Sequence, residues 1–328
     1  MQTSTPLRDP VRLEVYRHLL TALAEEMGAT LRRSAYSPNI KERRDYSCAL
    51  FDAAGDPVAM GDHMPVHLGA MPMSVRAALD DLGPLTDGDV VALNDPFRGG
   101  THLPDITLVE PVYVPGEDHP LAYVACRAHH ADVGGMAAGS MPLAREIYQE
   151  GLRIPPVLLM DGGRRVEGVW RLLLANVRTP GEREGDLEAQ LAALVAGRRR
   201  LTELVERRGA GELRAAMAGL LEYADRLLRA GIERIPDGVY EAEDVMEDDG
   251  VDDEPLPIRL RLTVSGDTVD ADFTGTARQA RGGINAVEAI TASATRYALR
   301  VVVERLLDQP LPAGGGAMDA LTMTAPAG

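Results

Sequence analysis

Asn94-Asp-Pro-Phe-Arg-Gly-Gly-Thr-His-Leu-Pro-Asp105 is the stretch from which the rest of the chain is read. It follows the apolar run Val90-Val91-Ala92-Leu93, a short buried strand by pattern, and a second apolar run begins at Ile106. Between them lies a loop rich in Gly and Pro that carries His102 and Asp105. Loops anchored on rigid strands are where chemistry concentrates. A matching unit lies downstream. The mostly apolar run from Leu121 to Ala128 ends in His129-His130-Ala131-Asp132-Val133-Gly134-Gly135. Two strand ends therefore each deliver His and Asp into a Gly-rich loop.

Working outward, residues 9–34 read as a helix with Asp9 as N-cap and Pro10 at the first helical position. Tyr16, Leu20, Leu23, Met27 and Leu31 recur on one face. Lys41-Glu-Arg-Arg-Asp45 is a charged loop leading into the strand Tyr46–Phe51. Asp52–Asp56 turns that strand into a second, Pro57–Met60. The loop Gly61–His67 precedes a helical pattern over 68–82. Further strands are expected at 90–93, 106–114 and 121–128. Pro111 assigns 106–114 to an edge or a bulge. His119 falls at the tip of the hairpin loop Gly116–Pro120 and reads as exposed.

Residues 138–156 read as a compact loop with one helical turn, whose Arg, Glu and Tyr residues are able to line a site. A long helical tract from Asp186 to Ile235 is broken by Gly209 and Gly211 into two helices. Its stripe Leu187, Leu191, Leu194, Leu201, Leu204 is core or subunit interface. The acidic stretch 241–253 lacks the spacing of an EF-hand and reads as a solvated loop. A hairpin follows at 257–264 and 268–274. A helix over 287–307 carries Ile290, Ala294, Tyr297 and Val301 on one face, and 308–328 shows no packing pattern. Gly282-Gly283 and Gly314–Gly316 are turns. Hairpins outnumber βαβ units, so the fold class is α+β: mixed or antiparallel sheets with packed helices. The expected divisions are 1–180 around the paired clusters, 181–236 helical, and 237–328 a hairpin plus helix.

A net charge of −16 excludes a nucleic-acid partner, which would repel the chain, and argues equally against a membrane surface. No apolar stretch approaches the ~18 residues of a membrane span. The polar segment 1–10 has no apolar signal core. The reading is a soluble cytoplasmic protein. Cys48 and Cys126 lie within apolar runs, as buried reduced thiols rather than nucleophiles. Neither a Walker phosphate loop nor a G-x-S-x-G elbow is present.

The chemistry that remains is metal binding. His102 and Asp105 are three apart, as are His129 and Asp132. Sulfur-free imidazole and carboxylate donors suit Zn, Mn or Fe in a catalytic role. Neighbouring strand residues point to opposite faces, so only one of His129 and His130 is a ligand. Asp45, which also abuts a strand, is a candidate fourth donor.

Long motifs carry a resemblance. Arg43–Asp52, His63–Pro72, Asn94–Asp105, Ala128–Gly135, Glu146–Pro156 and Asp272–Gly275 together resemble the hydantoinase B/oxoprolinase family. That family includes N-methylhydantoinase B subunits, the C-terminal half of 5-oxoprolinase and the alpha subunits of acetone and acetophenone carboxylases. The resemblance implies a hydantoinase B-like fold and a metal-bearing subunit that completes an ATP-dependent ring opening of a small cyclic amide. A hydantoinase A-type partner would bind ATP and Mg and phosphorylate the substrate. It implies Asp45, His102, Asp105 and His129 as ligands, His130 and Asp132 behind them, and His67 lining the same pocket. The alternatives are a ketone carboxylase alpha-type subunit and a non-catalytic truncated scaffold. Family members usually run past residue 328, so a separate C-terminal polypeptide is a further expected partner.

Overall fold

The computed structural model describes residues 5–61, 63–312 and 318–328. Gly314–Gly316 lie outside the described residues. Asp9 caps α1 (Pro10–Ser34), its carboxylate accepting the Val11 and Arg12 amides at 3.0 and 3.2 Å. All five residues of the expected face, Tyr16 to Leu31, are buried. After the short α2 (Pro38–Lys41), β1 (Tyr46–Asp52) and β2 (Pro57–Met60) form the expected hairpin. The Asp52 carboxylate accepts the Ala54 and Asp56 amides and so closes its turn. The next elements are α3 (His67–Leu82), β3 (Val90–Leu93), β4 (Asp105–Val112) and β5 (Ala122–His129). Then come α4 (Ile147–Glu150), β6 (Val157–Asp161), β7 (Arg164–Arg165) and α5 (Glu167–Ala175).

These strands make one seven-stranded sheet in the order β2-β1-β5-β4-β3-β6-β7, antiparallel at every pairing. Side chains alternate across it. Cys48, Leu50, Ile106, Leu108, Val124 and Cys126 pack toward α1 and α6 (Pro180–Arg208). Ala49, Phe51, Val109, Tyr123 and Ala125 pack toward α3. Both faces are covered, which is why strands β1, β4 and β5 are buried along almost their whole length. The Leu stripe on α6 belongs to this core: Leu187, Leu194 and Leu201 are buried and Leu191 and Leu204 pack against it. Gly209, at φ 83°, breaks α6 from α7 (Ala210–Ile232).

The second sheet has the order β11-β10-β9-β8, built from β8 (Gly238–Met246), β9 (Leu256–Ser265), β10 (Thr268–Asp272) and β11 (Leu321–Thr324). A third core cluster, with Ile232, Val264, Val269 and Val303, ties it to α7 and α8 (Glu288–Leu307).

Four expectations are corrected. Segment 106–114 is not an edge: β4 lies between β3 and β5. Its pairing with β3 ends at Val109, however, so Pro111 sits where the strand is an edge on that side alone and no ladder donor is missed. The acidic stretch 241–253 is a strand as far as Met246, because its carboxylates meet arginines across the ladder, Glu241 to Arg261 and Glu243 to Arg259, each at 2.8 Å. The terminal segment does pack, as β11 beside β10 in parallel. The face of α8 is not Ile290, Ala294, Tyr297 and Val301. Tyr297 and Val301 are 45% and 48% exposed, and the small residues Ala289, Ala292 and Ser293 are buried instead. Among the described residues no helix is long and apolar enough to cross a membrane.

Candidate metal centre

The alternation of β4 and β5 builds the site. Asp105 pairs with His129 across the ladder, so both side chains leave the sheet on its α3 face. Thr107 and Arg127 pair directly beneath them. The loop that opened the reading brings His102 over the same spot. It is folded by Asp95, which caps a 3-10 turn at Pro96–Arg98 through the Phe97 amide, and by Asn94, whose amide group bonds the Leu103 and Leu152 carbonyls.

Three donor atoms converge there. His102 Nε2 and His129 Nδ1 are 3.0 Å apart, and each lies 3.2 Å from Asp105 Oδ1. Donors about 2.1 Å from one ion, at tetrahedral or neighbouring octahedral positions, stand roughly 3.0–3.4 Å from each other. The spacing therefore fits a shared ion. Asp105 Oδ1 is fully buried yet has no partner in hydrogen-bond geometry. The cost of burying its charge is offset either by the imidazoles beside it, when protonated, or by a metal ion. The other oxygen, Oδ2, accepts the Thr101 hydroxyl at 2.6 Å and faces His67 Nε2 at 3.3 Å.

Asp45 approaches from the segment that leads into β1. Its Oδ2 is 3.7 Å from His129 Nδ1, and its backbone carbonyl accepts the His129 amide at 3.0 Å. Arg44, just before it, has φ 58°, a left-handed conformation uncommon outside Gly, which turns the chain from the loop into β1. Asp45, His67 and Asp105 form a second group able to share an ion, with Asp105 common to both groups. His67 is thus as close to Asp105 as the expected ligands are, and Ser47 Oγ holds its Nδ1 at 2.8 Å.

The electrostatics follow from burial and neighbours. Burial pushes the Asp105 carboxyl up, but His102, His129 and His67 around it outweigh burial and hold it well below the usual range. Burial alone would lower His102; Asp105 and Asp45 reverse that and raise it. Glu150, at the end of α4, is raised by burial and feels the His102 charge. Arg127 was not singled out by sequence, although it lies two residues before His129 on the same face. Burial lowers it to about 10. It spans three elements, bonding Thr107 on β4, Ser74 on α3 and the Gly99 carbonyl.

His130 and Asp132 stand apart. His130 points to the α6 face, where its Nε2 meets Gln190 Oε1 at 2.8 Å, and burial lowers it to about 4. Asp132 accepts the Arg178 and Gly134 amides and pairs with the Arg178 guanidinium at 2.9 Å. Among the described residues no hydrogen bond or ion pair joins either side chain to Asp45, His102, Asp105 or His129. An open groove of about 310 Å³ along α3, between Arg76 and Phe97, contains none of the site residues.

A half-buried cluster of imidazoles and carboxylates on an antiparallel sheet wedged between helices defines a class: α+β proteins with a nitrogen–oxygen site suited to a divalent metal. Within that class the chain belongs to the Hydantoinase B/oxoprolinase family, whose sequence pattern matches residues 9–328. It is 38% identical over 261 residues to the caprolactamase subunit beta of Pseudomonas jessenii, covering 79% of this chain and 45% of that one. It is 38% identical over 336 residues to 5-oxoprolinase 1 of Arabidopsis thaliana, covering 93% of this chain and 26% of that one. The crystal structure of the ATP-dependent caprolactamase from Pseudomonas jessenii superposes with a TM-score of 0.89 at 32% identity, over 97% of this chain and 54% of that one. The α+β fold is thus shared. The chain spans roughly half or less of the length of these relatives.

Proposed function

We propose that this chain is the metal-bearing B-type subunit of an ATP-dependent amidohydrolase that opens a hydantoin, oxoproline-like or other lactam ring. The observation that carries the reading is the convergence of His102 Nε2, His129 Nδ1 and the buried Asp105 Oδ1 within 3.0–3.2 Å. Similarity to subunits named for caprolactamase and hydantoinase supports the substrate class and the need for an A-type partner. Asp45, His102, Asp105 and His129 would hold Zn, Mn or Fe. When bound, such an ion supplies Lewis acidity and makes water more acidic near neutral pH.

The division of labour follows from the chemistry of amides. A lactam is a poor electrophile. Phosphorylation of its oxygen by the partner, with ATP and Mg, converts it to an imidate with a good leaving group. This chain then binds the activated ring over the α3 face of the first sheet. His67 holds a proton at Nε2 against Asp105 while Ser47 donates to its Nδ1, which places a proton donor beside the ligand cluster. His130 and Asp132 act from behind, by fixing β5 to α6 and the Gly134–Gly135 loop to Arg178.

The test is coexpression with an A-type partner, followed by supply of ATP, Mg and a panel of hydantoins, 5-oxoproline and caprolactam. Ring-opened product with release of ADP and phosphate, lost in His102→Ala, is expected. Uptake of bicarbonate into a ketone instead would overturn the hydrolase in favour of a carboxylase. Turnover that survives without this chain would overturn it in favour of a scaffold.

A further inference from the structure

The first turn of α3 carries His67, whose amide is taken by the Met64 carbonyl at 3.1 Å, but it has no side-chain cap of its own. The residue before it, Val66, has no side-chain cap to offer. The first amides of a helix have no acceptor within the helix. At Gly69 the acceptor comes from a helix more than two hundred residues away: Ser293 Oγ on α8 takes the Gly69 amide at 3.1 Å. Arg296 Nη1, one turn further along α8, donates to the Gly69 carbonyl at 2.8 Å. Both polar groups of one peptide segment are thus held by α8.

The contact is tight. A Cβ at Gly69 would stand 2.7 Å from Ser293 Cα, so the two helices touch backbone to backbone. Ser293 is fully buried. Burial lowers Arg296, with Glu288 on the same helix opposing. This accounts for the small-residue face of α8. Near its start the face of α8 is small because it approaches α3 closely, while further along Val303 is buried in the third core cluster.

We infer that Ser293 and Arg296 are positioning residues that set the first turn of α3, and with it His67 against Asp105, thereby coupling the second sheet unit to the ligand cluster. The inference rests on the reading of that cluster as a metal centre. His67 lies two residues before the clamped Gly69, with Nε2 3.3 Å from Asp105 Oδ2. A shift of the helix start moves the imidazole directly. Outer contacts that orient a metal site typically change affinity by about 10–100-fold.

The experiment uses the full chain with its histidines labelled with nitrogen-15, as wild type, Ser293→Ala, Arg296→Met and Arg296→Lys. In the metal-free protein, wild-type His67 is expected to show a single ring tautomer, with its proton on Nε2. Ser293→Ala and Arg296→Met are expected to average it, and Arg296→Lys to restore it in part. Zinc affinity, by competition with a chelator, should fall about tenfold in Ser293→Ala. That loss should vanish when His67→Ala is already present. An unchanged His67 ring signal, or unchanged zinc affinity in a variant whose melting temperature has dropped, would reduce the clamp to plain packing and overturn the inference. Failure of the wild type to take up zinc would defeat the metal reading separately, and the His67 ring signal would then decide the clamp alone.

Discussion

Asp105 and His129 sit directly opposite each other in the β4–β5 ladder, and their donor atoms meet 3.2 Å apart on the α3 face. The pairing means that strand register, not loop conformation, sets the heart of the site. A residue on a strand pair is held more firmly than one on a loop. The next residue, His130, is carried by the same alternation to the opposite face and to Gln190.

His129 and His130 therefore respond differently to substitution. His129→Ala is expected to abolish metal uptake with a modest effect on folding. His130→Ala leaves the Gln190 Oε1 acceptor without its donor and opens space beside α6, at a cost of roughly 2–4 kcal/mol. Metal content after refolding should remain close to wild type in that variant. Urea denaturation together with elemental analysis of both proteins checks this.

Arg127 gives a second contrast. Its guanidinium bridges Thr107, Ser74 and the Gly99 carbonyl, and Asp105 favours its charge. Lysine offers a charge without the planar fork. Arg127→Lys is expected to lose about 2–4 kcal/mol of stability and to weaken metal binding, because β4, α3 and the loop carrying His102 are no longer tied together. Chemical denaturation and chelator competition measure the two effects.

Much of this was legible in the chain because its signals are local. The N-cap at Asp9, the Asp52 turn and the break at Gly209 rest on residues adjacent in sequence. The separation of His129 from His130 needed only the two-residue period of a strand. What stayed hidden depends on distant partners. The Pro111 rule failed because nothing local says where β3 ends. The acidic strand β8 is stabilised by arginines on β9, and β11 by its pairing with β10. The buried face of α8 is not legible from bulk alone, because close contact with Gly69 selects Ser and Ala at its start and Val303 is buried further along. At the site, Asp45 was legible as a donor candidate because it abuts a strand, and the resemblance pointed to it as well. Arg127 gave no sign of its proximity beyond lying beside a quoted motif.

A pH effect separate from the site is expected at Glu110. Burial pushes its carboxyl up to about 7, and Arg198 at 3.1 Å offsets only part of that. A carboxyl raised in the folded state holds its proton more tightly there than in the unfolded chain. Glu110 therefore favours folding most at pH below about 4.5 and costs stability as pH rises from there to about 7. Glu110→Gln should raise stability by roughly 1–3 kcal/mol at pH 8 and by little at pH 5. Melting temperatures of both proteins across that range check the sign.

The most direct measurement is the metal content of the purified protein, as isolated and after reconstitution with Zn, Mn or Fe, beside His102→Ala and Asp105→Asn. The metal-centre account predicts about one ion per chain in the wild type and a loss of at least tenfold in affinity in both variants. Wild-type protein that takes up no ion under any of these conditions, or variants that bind as well as wild type, would contradict it.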